Sequence, residues 1–283
     1  MSTTAQRLLS EGIAFPESPR WHDGRLWFSD VYDFALKTVE LSGASRVVAA
    51  VPGRPSGLGI LPDGRMLMAT ALERKLYAVS PAGDLEIVAD LSSHAVGLLN
   101  DMVVDRQGRA YVGDTGFNPA SGEPFKPGFT WLVRPGREPE PAASDMHLPN
   151  GCAISDDGRT LYVAETFANR IARFTIGEDG ALSDRKVHAE LSSRPDGLCL
   201  DREEHLWVAM VQDGEFVRID PLGTIVQKLP SSESFALACV LGGPDRDLLF
   251  MCSADTSLER LRDGDSRGNI DHVRVPVRGA GLP

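Results

Sequence analysis

The sequence predicts an all-β protein, a six-bladed β-propeller with four-stranded antiparallel blades. Six segments open with one signature and lie roughly 40 to 50 residues apart, the period of a propeller blade rather than of a helical repeat. Most run on into an Asp/Gly-rich turn and a short apolar strand, the pattern of a hairpin. Long amphipathic helical patterns are missing. A chain of 283 residues with 42% apolar content suits one large all-β domain over 1–283 with a sizeable core.

The signatures read Glu17-Ser-Pro-Arg-Trp21, Ser56-Gly-Leu-Gly-Ile60, Asn100-Asp-Met-Val-Val104, Asn150-Gly-Cys-Ala-Ile154, Asp196-Gly-Leu-Cys-Leu200 and, more loosely, Phe235-Ala-Leu-Ala-Cys-Val240. The second repeat shows its four strands best, at 57–61, 66–70, 75–80 and 85–89, with turns at Pro62-Asp63-Gly64 and Pro81-Ala82-Gly83. Ring closure is expected from 270–277 as a late strand of the last blade and from 7–14 as a strand preceding the first signature. The third repeat is the longest. Its excess, 115–129, is too rich in Pro and Gly for regular structure and is either a functional loop over the pocket or a surface insertion.

A net charge of −11 disfavours binding to nucleic acid, which requires clustered Lys and Arg. Residues 1–12 lack the apolar core of a secretory signal and no run of about 18 apolar residues occurs, so a soluble, cytoplasmic protein without membrane contact is expected. Cys152, Cys199, Cys239 and Cys252 show no C-x-x-C spacing, and three of them lie in first strands among Ala, Leu and Val. They are expected to be buried, reduced thiols.

Equivalent positions of a repeat become symmetry-related points around the propeller axis. Four of the six first positions carry a carboxylate or a carboxamide: Glu17, Asn100, Asn150 and Asp196. Taken singly, Asn-Gly, Asp-Gly and Pro-Glu are common turn dipeptides. In phase, two carboxylates and two carboxamides aimed at one axis would be costly to bury without a cation. Ca²⁺ is the expected ion because it takes about 6 to 8 oxygen ligands in flexible geometry, with Zn²⁺, Mn²⁺, Mg²⁺ and Fe²⁺ as alternatives. Residues just after the second strands share the same face, among them Asp114, Phe117 and Glu165. Together with Leu98, Asp101 and the loop residue His147 they are the expected substrate contacts. His94 is a second loop histidine on this face; each histidine is either a proton-transfer group or an ordinary solvated residue.

These stretches resemble the senescence marker protein, gluconolactonase and luciferin-regenerating enzyme family. The matching segments are Phe15-Pro-Glu-Ser-Pro-Arg-Trp21 with Leu26-Trp-Phe-Ser-Asp30, Asn100-Asp-Met-Val-Val-Asp105, Pro149-Asn-Gly151 with Leu161-Tyr-Val-Ala-Glu-Thr166, Arg194-Pro-Asp-Gly-Leu198, and Leu241-Gly-Gly-Pro-Asp245 with Leu248-Leu-Phe-Met-Cys252. The resemblance implies one divalent cation held by Glu17, Asn100, Asn150 and Asp196, and lactonase activity. It also departs from the family. An arginine that contacts sugar lactones in other members is Leu98 here, with Leu99 beside it, and Asn100-Asp101 is followed by Met102 instead of Gly. A more apolar lactone, an ester or an organophosphate therefore suits the rim better than a sugar lactone, with Phe117, Phe125 and Phe129 expected to extend that rim.

The chemistry expected is metal-assisted hydrolysis of a lactone or related ester, with carbonyl polarisation by the cation and Asp196 as general base. Direct attack by Asp196 is the variant. The rivals are an organophosphate or aryl-ester hydrolase of the diisopropyl fluorophosphatase type, a non-catalytic propeller with a structural calcium ion, and a metal-free enzyme of the strictosidine-synthase type. No Gly-x-Ser-x-Gly elbow supports a serine hydrolase. Oligomeric state is not readable from the sequence.

Overall fold

The structure is a computed structural model that describes residues 7–119 and 121–281. It is a six-bladed β-propeller, each blade a four-stranded antiparallel sheet. Apart from two short 3₁₀ turns, Thr166–Ala168 and Arg260–Asp263, the regular structure is all strand. No helix among the described residues is long and apolar enough to cross a membrane.

The inner strands, first in each of blades one to six, are Pro16–His22, Pro55–Ile60, Leu99–Val104, Pro149–Ile154, Pro195–Leu200 and Phe235–Gly242. They are largely buried, as are the second strands of the blades, and Pro195–Leu200 and Phe235–Gly242 are buried throughout. Outer strands face solvent on one side, so Ile225–Pro230 alternates between half-buried and exposed. Hydrophobic clusters fill each gap between neighbouring blades. One joins Phe28 and Leu26 of blade one to Phe250 and Val240 of blade six, and another joins Leu76 of blade two to Met102 and Val112 of blade three.

The ring closes as the termini predict. Arg7–Ile13 is the outer strand of the sixth blade, antiparallel to Arg267–Arg274, with Leu8 opposite Asp271 and Ile13 opposite Gly268. The hairpin at Asp23-Gly24 has both residues in the left-handed region, at φ 50° and 74°. That is the backbone a tight two-residue connection needs. All four cysteines are free and buried.

Candidate metal centre and substrate pocket

Each inner strand starts at one face of the disc, and its opening residues are shaped by a bulge. Pro55 pairs with Thr70, Pro149 with Glu165 and Pro195 with Met210, after which two residues go unpaired and the register slips by one position before regular pairing resumes at Leu58, Cys152 and Leu198. Such bulges re-aim side chains, and the residues freed from the ladder are Ser56, Asn150 and Asp196 with the glycines that follow them. These glycines are not turn residues. A Cβ at Gly57 would lie 2.6 Å from the Met102 nitrogen, at Gly151 2.5 Å from the Asp196 carbonyl oxygen, and at Gly197 2.5 Å from the Ala238 Cβ. The X-Gly signature therefore marks where neighbouring inner strands press backbone against backbone near the axis.

Glu17 and Asp196 are two carboxylates without an ion-pair partner among the described residues. Glu17 is enclosed by protein yet keeps part of its surface open to a cavity, and Asp196 is 6% exposed. The Oδ1 of Asp196 is buried with no hydrogen-bond partner. Burial, and then the charges of Asp196 and Asp101, push the Glu17 carboxyl well above the usual carboxylate range. Burial and Asp101 push Asp196 the same way, against a lowering by Asn150. Both amides are anchored through their NH₂ groups. Asn100 Nδ2 donates to the Pro149 carbonyl at 3.1 Å and Asn150 Nδ2 to Thr166 Oγ1 at 3.2 Å. Their carbonyl oxygens are the functions left over.

No three His, Cys, Asp or Glu side chains come together as a metal cluster among the described residues. A cation here would depend on two amide oxygens as much as on two carboxylates. An orphaned buried carboxylate oxygen beside a second unpaired carboxylate, with hard neutral oxygens nearby, fits a hard divalent ion.

Above these residues lie two adjoining cavities. One of about 150 Å³ opens onto Glu17 and Asn100. The other, about 350 Å³, reaches Asp196. Phe15, Arg54, Leu98, Pro119 and Leu148 line both. A larger hollow of about 460 Å³ lies between blades two and three, at turns containing Pro62, Gln107 and Pro135, and includes none of the four oxygen donors. Those turns are at the opposite ends of the strands, so the smaller pair of cavities is the one that matters for this chemistry.

Several expected substrate contacts are committed elsewhere. Asp114 is fully buried, and its carboxylate accepts the backbone N–H groups of Val96, Gly97 and Gly116 and the Trp131 indole N–H. Glu165 is equally buried and is held by Arg170, Arg185 and the His147 N–H. With Asp30, which accepts the N–H groups of Ala14 and Phe15, these acids fix the chain as it enters the inner strand of their own blade. Asp101 accepts from Ser18 Oγ, Arg20 and the Met102 N–H, bridging blades one and three. It acts on the site through its charge.

Phe117 is buried behind the pocket wall, its ring 5.7 Å from Phe167 and 5.7 Å from Phe125. Phe129 packs on Trp131 instead of the rim. His147 lies against the Phe125 ring at 5.0 Å, and His94 lies by Trp131; neither lines either cavity. The rim contacts that remain from the expected set are Leu98 and the buried Leu99, joined by Pro119 of the third-blade insert.

Arg54 and Arg194 are pocket residues that the sequence reading passed over. The Arg54 guanidinium carbon lies 5.0 Å from the Tyr32 ring centroid, and that of Arg194 4.9 Å from Phe167. Both line the cavity that reaches Asp196. A signal for them existed, since both stand two residues before a signature position in an Arg-Pro-x-Gly-Leu run.

The model of the SMP-30/Gluconolactonase/LRE-like region matches residues 15–255. The regucalcin of Danio rerio is 26% identical over 89% of this chain and 87% of its own length. The pentonolactonase XacC of Haloferax volcanii is 25% identical over 98% and 92%, and the lactonase drp35 of Staphylococcus aureus 28% over 76% and 69%. Among solved structures, a calcium-binding protein, regucalcin, from Agrobacterium tumefaciens superposes with a TM-score of 0.82 at 23% identity, covering 97% of this chain and 95% of that one. A gluconolactonase from Xanthomonas campestris gives 0.78 at 21%, covering 96% and 89%. These two likenesses concern the fold. From the span of the match and the order of its motifs, the chain belongs to the SMP-30/gluconolactonase/LRE-like family.

Proposed function

We propose that this protein is a metal-dependent hydrolase that opens a lactone ring or cleaves a related ester. Relatives named as a pentonolactonase and a lactonase support the reaction class. The observation that carries the metal dependence is the pair of unpaired carboxylates, Glu17 and Asp196, with the Asp196 Oδ1 left without a partner. Glu17, Asn100, Asn150 and Asp196 would hold one divalent cation, Ca²⁺ by preference, which when bound supplies Lewis-acid polarisation of a carbonyl and a positive charge for the developing oxyanion.

In this reading Asp196 takes the proton of the attacking water and returns it to the departing ring oxygen, so that the lactone becomes a hydroxy acid. Asp101, held by Arg20 in a buried ion pair, is one of the negative charges that bear on Glu17 and Asp196. Leu98, Leu148, Val211 and Phe235 form an apolar wall that holds the hydrocarbon part of a substrate and keeps water off one side. That wall also favours aryl esters or organophosphates as a second substrate class.

The test is a panel of lactones assayed before and after chelation, with circular dichroism on the same samples. Turnover should be lost on chelation and regained with added cation while the propeller stays folded. Turnover that survives complete chelation would refute metal dependence, and a folded, cation-loaded protein that turns over no lactone or ester would make it a calcium-binding propeller without catalysis.

A further inference from the structure

Building on the hydrolase reading above, we propose that Arg54 and Arg194 form a paired anion clamp, and that the substrate carries an anionic arm, a carboxylate or a phosphate, away from the bond that is cleaved. Phe15, Arg54, Leu98, Leu148 and Arg194 stand two residues before Glu17, Ser56, Asn100, Asn150 and Asp196. They therefore form one ring in five successive blades, and all five line a single cavity. Three members are apolar. The two cationic ones belong to blades two and five, which lie opposite each other across the axis of a six-bladed ring.

Their state of pairing is unusual for this protein. Acidic residues outnumber basic ones, 40 to 29, and guanidiniums such as those of Arg109, Arg170, Arg185 and Arg218 sit directly against carboxylates. Arg54 and Arg194 have no carboxylate partner among the described residues, although Glu17 and Asp196 are themselves unpaired in the same pocket. The guanidiniums lie on the Tyr32 and Phe167 rings instead, which leaves their edges for a ligand. The Arg54 Nε is buried and has no hydrogen-bond partner. Its backbone is left-handed, at φ 66°, a conformation retained at functional sites when the surrounding structure enforces it. Unpaired acids on the axis call for a cation, and unpaired guanidiniums above them call for an anion. A cavity of about 350 Å³ with an apolar wall between the two fits a small molecule with a short hydrocarbon body.

Hydrolysis of such a lactone adds water across the ring C–O bond. It turns the ring ester into a hydroxyl and one new carboxylate, leaves the anionic arm unchanged and releases one proton, which an indicator assay can follow. Three γ-lactones that differ only in the chain end, carboxylate, phosphate or neutral carboxamide, test the clamp. The wild-type protein should prefer one of the charged lactones over the carboxamide by at least about tenfold in kcat/KM, and whichever it prefers identifies the anion. Arg54→Met and Arg194→Met should each lower that preference by about ten- to a hundredfold, mainly through KM. Arg54→Lys should restore part of it. Methionine is no worse than arginine at a left-handed position, so folding should be retained. Equal use of all three lactones by the wild-type protein, or variants that lower all three alike, would overturn the proposal.

Turnover of the carboxamide lactone separately checks the hydrolase reading. Should none of the lactones be turned over, calorimetric titrations with glutarate and with inorganic phosphate replace kinetics: binding of either anion by the wild-type protein that is lost in the double Met variant supports the clamp. No binding, or binding unchanged in the double variant, overturns it.

Discussion

At the scale of single residues, the same side-chain type has opposite fates depending on what reaches it. Asp196 and Asp114 both stand at the pocket face of a blade. Asp114 is saturated by three backbone N–H groups and an indole N–H, whereas Asp196 retains an oxygen with no donor. The repeat phase alone singles out Glu17, Asn100, Asn150 and Asp196, because equivalent positions must share a radius. It does not show that Asp114 and Glu165, which end second strands on the same face, are already satisfied, since that rests on which loop amides and arginines reach each carboxylate. Asp196→Asn should lower kcat by about a hundredfold or more with the fold intact, by removing the proposed base and one negative ligand together. Glu17→Gln should mainly weaken cation binding, and excess cation should recover part of its turnover. Steady-state kinetics on samples of known metal content checks both, and near wild-type turnover by fully loaded Asp196→Asn would remove Asp196 from the mechanism.

At the scale of elements, the strand order and ring closure are legible because every blade repeats one pattern and both termini carry strand-like segments. Less legible is why glycine follows the signature position. The dipeptides Asn150-Gly151 and Asp196-Gly197 read locally as turns, yet they lie in bulged inner strands where the neighbouring backbone leaves no room for a Cβ. Gly151→Ala should therefore force apart the inner strands of blades four and five and displace Asp196. The expected cost is about 1–3 kcal/mol, a fall in Tm of roughly 2–4 °C per kcal/mol in a protein of this size, with weakened cation binding. Differential scanning calorimetry with a cation titration measures both, and an unchanged Tm would show that the approach is not tight. The third-blade insert likewise shows the limit of composition. Its aromatics look like a pocket lid in sequence, but Phe117 and Phe129 pack inward, and among the described residues it is Thr115 and Pro119 that border the cavities.

For the molecule as a whole, the proposed cation site would make stability depend on pH and cation together, because its two carboxylates are enclosed and unpaired. Without a cation, Glu17 and Asp196 are pushed above their ordinary values of 4.5 and 3.8. Between those values and the raised ones the folded chain binds more protons than the unfolded chain, so this contribution to stability is greatest in acid and is lost as pH rises. A bound cation removes the penalty, and protons compete with it. The Tm difference between loaded and chelated protein should accordingly grow from about pH 4 to pH 8. Taking the difference cancels groups such as Glu165, whose carboxyl is held below its usual range by Arg170 and Arg185. A difference that is flat or shrinks with pH would place the cation away from these carboxylates.

The central claim, that one cation on the propeller axis is bound by these oxygens and makes the protein a lactone hydrolase, is tested most directly by titrating chelated protein with Ca²⁺ while measuring lactone turnover on the same samples. The expected result is turnover that rises in proportion to occupancy and saturates at one equivalent, with saturation lost in the Glu17→Gln, Asp196→Asn double variant. Turnover independent of added cation, or no binding in the wild-type protein, would contradict it.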